Sequence, residues 1–375
     1  MNLVPANSLS AGFFSEQAEL ENAALRVLRS GWYILGTETE CFEEEFAEWL
    51  GVPFAVGVAN GTDALMLALR VSGVGVGDGV FTVSHTAVAT VAAIEMLGAT
   101  PLLVDVDRQT LTMCPDSLRS AVHCAAGYGI PLKAVVPVHL YGHPCDIKAI
   151  MEVAEHFGLQ VIEDCSQSHG AEFAGRKTGS FGHLAAFSLY PTKNLGAFGD
   201  AGVIATGDSV LAEQLRMLRQ YGWKERNNSE MPGVNSRLDE LQAALLRVRL
   251  RSLEARTKRR QSIARQYEQH FGMLVQTPVI KPHCSHVFHQ YVVRSGDRDG
   301  LQQRLREAGV ATMIHYPKAV HQQTAYAGRL PVVSSLETTE SQVPGILSLP
   351  MFPEMSDDMV QRVCSAVSAC GSRVS

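Results

Sequence analysis

Apolar runs of strand length alternate with helical patterns from about residue 50 to about residue 210, and this alternation limits the fold more than any other feature. Such an order is typical of a mostly parallel sheet covered by helices. Several runs are nearly continuous in hydrophobic residues, as expected for strands buried on both faces. We expect seven strands, at residues 54–58, 79–83, 100–104, 134–138, 160–162, 184–188 and 202–206. The predicted fold class is α/β.

The chain is long enough for two domains, because 375 residues exceed the size at which one hydrophobic core keeps growing. Helices are predicted at residues 62–71, 87–97 and 147–156, and a longer helical pattern follows Asn235-Ser236-Arg237. We place the domain boundary on that long helix, with a large domain at residues 1–240. A smaller C-terminal α+β domain is expected at residues 241–375, with strands at 289–294 and 312–316 and a helix at 300–308.

Composition and charge exclude several classes of protein. The net charge is −6, and the one concentrated basic run, residues 256–260, falls inside a helical pattern, so nucleic-acid binding is not expected. The longest apolar stretch, residues 87–97, is too short for a membrane span. The N-terminus resembles no secretory signal, and the eight cysteines form no CxxC pair. We therefore expect a soluble cytoplasmic protein.

The most distinctive local sequence surrounds Lys193. It reads Phe187-Ser188-Leu189-Tyr190-Pro191-Thr192-Lys193-Asn194-Leu195-Gly196. An amine stands here among hydroxyl groups that can bind a phosphate, and the glycines that follow let a backbone approach a planar ligand. A pyridoxal phosphate Schiff base needs these features, and Lys193 is our candidate for the chemistry.

Two further strand ends carry polar residues. Asn60-Gly61-Thr62-Asp63 follows a strand and opens a helix, where backbone N–H groups and the helix dipole favour an anion. An ordinary capped turn would look the same, but the other phosphate-binding features favour the anion site. Glu163 and Asp164 end a second strand, and we choose Asp164 to hold a pyridine nitrogen protonated. Pairing with an arginine or capping of the next segment is the alternative.

No metal site is predicted. His283, Cys284, His286 and His289 lie within seven residues, but the surrounding sequence is typical of a surface loop and has no second ligand cluster. No Gly-x-Ser-x-Gly or P-loop pattern is present, which weighs against hydrolases and NTPases.

Eight short stretches, in chain order, resemble the DegT/StrS family of sugar aminotransferases, which are pyridoxal phosphate enzymes of fold type I. They are residues 30–36, 60–65, 85–90, 137–142, 163–170, 190–196, 235–240 and 315–317. The resemblance implies a homodimer with shared active sites and Lys193 as the Schiff-base lysine. It also implies Asp164 as the partner of the pyridine nitrogen and Gln167 near the ring hydroxyl. The phosphate would be held by Gly61, Thr62, Ser188 and, from the neighbouring subunit, Asn235.

The sequence departs from the family at Ala87, where many relatives carry an aromatic residue that stacks on the cofactor ring. Either His85 or another side chain would have to stack instead. By motif position, the resemblance also suggests the following substrate contacts: Trp32, Tyr33, Tyr190, His315 and His321.

The sequence Tyr190-Pro191-Thr192-Lys193-Asn194-Leu195-Gly196 resembles the subgroup that acts on nucleotide-linked 3-keto sugars. The expected reaction therefore moves an amino group from L-glutamate to a dTDP-linked 3-keto-deoxysugar, with ping-pong kinetics. A 4-keto nucleotide sugar and a keto-cyclitol remain alternative acceptors. A non-catalytic regulatory or binding protein with this fold is the alternative of another class.

Overall fold

The computed structural model describes residues 3–272 and 274–370. Its α-helices are α1 (Leu9–Phe14), α2 (Gln17–Ser30), α3 (Thr37–Leu50), α4 (Gly61–Val71), α5 (Val88–Glu95), α6 (Pro115–Ala125), α7 (Ile147–Phe157), α8 (Ser209–Leu218), α9 (Glu240–Phe271), α10 (Arg298–Glu307), α11 (Glu337–Gln342) and α12 (Asp357–Cys370). Its strands are β1 (Phe54–Val58), β2 (Gly79–Val83), β3 (Thr100–Val104), β4 (Leu132–Val136), β5 (Gln160–Asp164), β6 (Glu172–Phe173), β7 (Arg176–Lys177), β8 (Leu184–Ser188), β9 (Gly202–Thr206), β10 (Trp223–Glu225), β11 (Asn228–Ser229), β12 (Cys284–Ser285), β13 (Tyr291–Arg294) and β14 (Ile346–Leu349).

A seven-stranded sheet with the order β1-β9-β8-β5-β4-β2-β3 forms the centre of the fold. Pairing is parallel from β8 to β3, and β9 lies antiparallel between β1 and β8. This confirms the mostly parallel α/β sheet. Strand β4 ends two residues earlier than predicted, because Pro137 has no N–H to continue the ladder and Val138 makes only an isolated bridge to Asp164.

Helices cover both faces of the sheet. In β8 the side chains of Leu184 and Ala186 pack with α4 on one face, whereas Ala185 and Phe187 pack with α3 and α9 on the other. Successive side chains of a strand point to opposite faces, so a strand buried on both sides is apolar at nearly every position. The continuous apolar runs that predicted these strands have this cause.

A second apolar core lies in the C-terminal part of the chain, where the end of α9 packs with α10, α12 and the antiparallel pair of strands β13 and β14. The predicted strand at residues 312–316 is wrong. Only Met313 pairs there, in an isolated bridge to Ser348. The sequence favours extended backbone, but a strand forms only where a neighbour supplies a run of hydrogen bonds. The boundary between residues 240 and 241 stays a prediction.

Among the helices that the structure describes, none is both long enough and apolar enough to cross a bilayer.

Glu240, the first residue of α9, binds the N-terminus of α3 through its side chain. Its buried carboxylate accepts hydrogen bonds from the backbone N–H groups of Gly36, Glu38 and Thr39 at 2.8 to 2.9 Å, and from the Thr39 hydroxyl at 2.5 Å. The Glu240 N–H in turn donates to the Tyr33 carbonyl. A negative charge at a helix N-terminus is favourable, and here a residue about 200 positions away supplies it.

Replacing Glu240 with alanine should lower the free energy of unfolding by about 2 to 4 kcal/mol, because buried N–H donors lose a charged acceptor. Urea denaturation followed by circular dichroism measures this. Glu44→Ala, at an exposed position of α3, is the matched control and should change stability by less than about 0.5 kcal/mol. Equal effects of the two changes would contradict the proposed cap.

Candidate active site

A cavity of about 490 Å³ opens where several parallel strands end. Its wall is formed by Asn60, Gly61, Thr62, Asp63, Leu65, Thr86, Ala87, Ala89, Thr90, Val138, Asp164, Ser166, Gln167, Ser188, Tyr190, Lys193 and Asp200. The structure thus brings together six residues that the sequence predicted for the cofactor: Gly61, Thr62, Asp164, Gln167, Ser188 and Lys193.

The N-terminus of α4 forms one end of this cavity. Asn60 caps the helix by accepting a hydrogen bond from the Asp63 N–H at 2.8 Å. Gly61 lies so close to the end of β8 that a Cβ added to it would be 2.5 Å from Ser188 Cβ. A side chain is excluded here, so backbone N–H groups and the Ser188 hydroxyl can act on the same anion.

Lys193 lies in a tight turn after β8. Its N–H donates to the Tyr190 carbonyl at 2.8 Å, and Gly196 packs directly against the Pro191 backbone, where a Cβ would collide. Burial lowers the pKa of Lys193 to about 8, although the nearby Asp164 carboxylate acts in the opposite direction. A substantial fraction of this amine is therefore neutral near physiological pH, as a nucleophile requires.

Asp164, the last residue of β5, is buried in the wall of the same cavity. Its carboxylate accepts hydrogen bonds from the Thr90 hydroxyl at 2.9 Å and from the Ser166 N–H at 3.1 Å. The neighbouring Glu163 does not line the cavity. It accepts from His139 and from three backbone N–H groups of residues 179–182, as the alternation of side chains along a strand requires.

Gln167 has an orientation that its partners determine. Its Oε1 accepts from the Tyr141 N–H at 2.7 Å, so its Nε2 is the end that donates, here to the Tyr316 hydroxyl at 3.2 Å. An amide N–H is thus directed towards a phenol, at a place where a ligand hydroxyl could compete for it.

His85 is buried and is not in the cavity wall. The Tyr141 hydroxyl donates to the His315 carbonyl, so its oxygen must accept from His85 Nε2, 2.7 Å away. The Nδ1 of His85 then lacks both a proton and a partner. Burial lowers the pKa of His85 to about 4, which keeps the ring neutral. Its suggested stacking on the cofactor stays a prediction.

A second cavity, of about 310 Å³, adjoins the first at Tyr190. Its polar wall consists of Asn7, Tyr190, Thr192, His289, Gln290, His315 and Ser348, and its apolar wall of Ala6, Met313, Leu349 and Met351. His315 Nδ1 lies 2.9 Å from the Ser348 hydroxyl, and burial lowers the pKa of His315 to about 4. None of these described residues carries a charge at neutral pH.

The remaining predicted residues lie outside both cavities. Trp32 and Tyr33 are half to two-thirds exposed on the surface, and Asn235 is exposed beside its backbone bridge to Gln220. His321 bonds Ser84 through Nδ1 at 2.6 Å and Glu340 through Nε2 at 3.0 Å. These positions leave the predicted roles of Trp32, Tyr33, Asn235 and His321 untested.

Thr90 and Tyr316 belong to the site, although neither was predicted from the sequence. Thr90 donates a hydrogen bond to Asp164, and the Tyr316 hydroxyl accepts one from the Gln167 amide. Both lie in the short stretches, residues 85–90 and 315–317, on which the family resemblance rests. The signal was therefore present, but nothing in the sequence showed which side chain would face the carboxylate or the amide.

Taken together, the first cavity has an anion-binding end, an amine with a lowered pKa and a buried carboxylate. These groups suit a flat aromatic ligand that carries a phosphate, a carbonyl carbon and a basic ring nitrogen.

The DegT/DnrJ/EryC1/StrS aminotransferase family model matches residues 15–368 of the chain. A Streptomyces venezuelae protein named dTDP-3-amino-3,4,6-trideoxy-alpha-D-glucose transaminase is 43% identical over 373 residues, covering 99% of this chain and 97% of the relative.

Solved structures agree with this match. The crystal structure of S. venezuelae DesV in complex with a ketimine intermediate has a TM-score of 0.94 at 43% identity, with all of both chains covered. The structure of NtdA from Bacillus subtilis with bound cofactor PMP has a TM-score of 0.89 at 28% identity, covering 99% of this chain and 85% of that one. The chain therefore belongs to the DegT/DnrJ/EryC1/StrS aminotransferase family.

Proposed function

We propose that the protein uses pyridoxal phosphate to move an amino group from L-glutamate to a 3-keto-deoxysugar carried by dTDP. The observation that carries the proposal is the meeting of Lys193, Asp164 and the N-terminus of α4 in one cavity. The name of the S. venezuelae relative supports a dTDP-linked 3-amino sugar as product.

The residues of the cavity suit this cofactor. Gly61, Thr62 and Ser188 would hold the phosphate, and Asp164 would hold the ring nitrogen in its protonated form. Lys193 would bind the aldehyde carbon. When bound, pyridoxal phosphate withdraws electrons from the carbon that bears the amino group and so makes its proton acidic.

Lys193 would also move this proton. With its amine free, Lys193 would be a base beside the reacting carbon, with a pKa of about 8. The Asp164 carboxylate, fixed by Thr90 and Ser166, supplies negative charge without moving. Because the donor and the acceptor would react one after the other at the same site, ping-pong kinetics are expected.

The second cavity would receive the acceptor sugar. Its wall combines uncharged hydrogen-bonding groups with apolar side chains, which suits a deoxysugar that has both hydroxyl groups and a methyl group. Tyr190 and His315, which we expected to contact substrate, both lie in this wall.

The working form is proposed to be a homodimer with shared sites. Trp32, Tyr33 and Ile34 form a consecutive run of exposed large side chains, as expected of a surface that another protein covers. Asn235 would also lie on a surface that the partner covers. It is exposed, whereas its neighbour Ser236 is buried and bonds Asp63 at 2.6 Å. The side chain of Asn235 would then reach the phosphate in the partner's cavity.

We also propose a cytoplasmic location. All eight cysteines are free thiols, including the exposed Cys124, as is typical of proteins in a reducing compartment.

The first test uses absorbance spectra of the wild type and of Lys193→Ala, each with added pyridoxal phosphate. The wild type should show a lysine-dependent band that L-glutamate bleaches and that a dTDP-linked 3-keto-deoxysugar then restores. Lys193→Ala should lack the band and lose transamination by about a thousandfold or more. Lys133→Ala, at an exposed position of β4, is the control and should behave as the wild type.

Other outcomes of this test would select an alternative. Restoration of the band only by a 4-keto sugar or by a keto-cyclitol would change the acceptor. Absence of any lysine-dependent band would overturn the enzymatic proposal and favour a regulatory or binding protein.

The rate of cofactor capture should depend on pH through Lys193. The neutral amine is the nucleophile, and its fraction falls about tenfold per pH unit below the pKa. With a pKa of about 8, the second-order rate of band formation in cofactor-free protein should rise from about pH 6 to about pH 8 and then level off. Stopped-flow absorbance measures this, and a rate still rising steeply above about pH 9 would contradict the lowered pKa.

Shared sites can be tested by mixing two inactive variants. In the proposed dimer, each site takes Lys193 from one subunit and Asn235 from the other. A mixed dimer of Lys193→Ala and Asn235→Ala therefore contains one site with both substitutions and one site with neither. Co-refolding equal amounts should give about a quarter of the wild-type activity, whereas each variant alone stays low. Activity that never exceeds the average of the two variants would contradict the shared site.

A further inference from the structure

Asn194, next to the candidate catalytic lysine, makes two hydrogen bonds to one loop. Its Nδ2 donates to the Val287 carbonyl at 3.1 Å, and its Oδ1 lies 3.3 Å from His289 Nδ1. The carbonyl only accepts, so the amide orientation is settled and Oδ1 faces the imidazole. His289 must therefore carry its proton on Nδ1.

The loop itself is held from behind by Arg260. This buried guanidinium donates to the carbonyls of Phe288 at 3.1 Å and Met351 at 2.8 Å, with the His289 carbonyl 3.5 Å away. Three backbone oxygens from two segments are thus fixed around one side chain. The position of the imidazole of His289 is set by these contacts as well as by Asn194.

The other ring nitrogen of His289 is left for a ligand. Burial keeps the pKa of His289 well below its usual range, so the ring is neutral and Nε2 carries a lone pair. No described residue bonds this nitrogen, and His289 lines the second cavity beside Tyr190 and Thr192. A fixed hydrogen-bond acceptor therefore borders the space next to Lys193.

We propose that His289 Nε2 accepts a hydrogen bond from a hydroxyl group of the acceptor sugar and so helps to determine which sugar is aminated. This inference rests on the proposed function. A fixed acceptor selects a group that donates and gives no attraction to a carboxylate, and none of the described residues of the wall is a cation that could offset a negative charge. The site should thus favour neutral hydroxyl-bearing sugars over uronates.

Two substitutions separate the ligand contact from the contact with Asn194. His289→Asn places an amide N–H where Nδ1 was, which keeps the bond to Asn194 but removes the acceptor from the cavity. His289→Gln extends an amide to the position of Nε2, which restores an acceptor there but removes the donor to Asn194. His123→Asn, at an exposed position of α6, is the control.

The substitutions should affect the acceptor half-reaction and product binding more than the half-reaction with L-glutamate. His289→Asn should lower kcat/KM for a dTDP-linked 3-keto-6-deoxyhexose about tenfold more than it lowers the rate of bleaching by L-glutamate, as expected for one lost hydrogen bond. The Kd of the corresponding dTDP-linked 3-amino sugar, measured by calorimetry, should rise by a similar factor. His289→Gln should recover most of both losses, and the control should match the wild type.

Equal losses in both half-reactions for His289→Asn would overturn the inference, because His289 would then act only through Asn194 and Lys193. Unchanged acceptor kinetics and an unchanged Kd would overturn it as well. The proposed function fails in a different way, when the wild type is bleached by L-glutamate but neither reacts with nor binds the dTDP-linked sugars.

Discussion

The N-terminus of α4 and the end of β8 touch without room for a side chain between them, and the whole cavity depends on this contact. A Cβ on Gly61 would lie 2.5 Å from that of Ser188, and a Cβ on Gly202 would collide with the Asn60 carbonyl. Gly202 begins β9, which lies antiparallel between β1 and β8. Since β1 leads into α4 and β8 leads into the turn of Lys193, this packing brings a helix N-terminus and an amine to one place.

Burial sets the protonation states around that place. It lowers the pKa of Lys193 to about 8 and that of His169 to about 3, and it keeps the ring of His315 neutral as well. The positive charge of Lys193 also disfavours the charged forms of His169 and His315 and so contributes to lowering the pKa of both. The lysine is therefore surrounded by neutral imidazoles, and Asp164 is the carboxylate that supports its charge.

The sequence predicted most of the fold where local pattern and tertiary structure agree. Strands buried on both faces are apolar at nearly every residue, so β1, β2 and β8 were found at their observed limits. Residues 312–316 were wrongly predicted as a strand, because in that stretch only Met313 pairs with another segment.

Some residues of the site could be predicted from local sequence, and others could not. Lys193 and Gly61 stand in short stretches with a chemical rationale of their own, whereas the pairing of Asn194 with His289 joins residues 95 positions apart. Such a contact leaves no local pattern in the sequence.

The two cavities differ in how they are built, and this difference bears on specificity. Most of the first cavity's wall comes from the ends of strands and the first turns of the helices that follow, which the sheet holds in fixed positions. The second takes its wall from five short segments near residues 6, 190, 289, 313 and 349, most of them in loops. Substitutions in those loops can alter the acceptor while Lys193 and Asp164 keep their surroundings. Under the proposed function, the acceptor would therefore be encoded mainly outside the lysine motif, which contributes Tyr190 and Thr192 to the described wall of the second cavity.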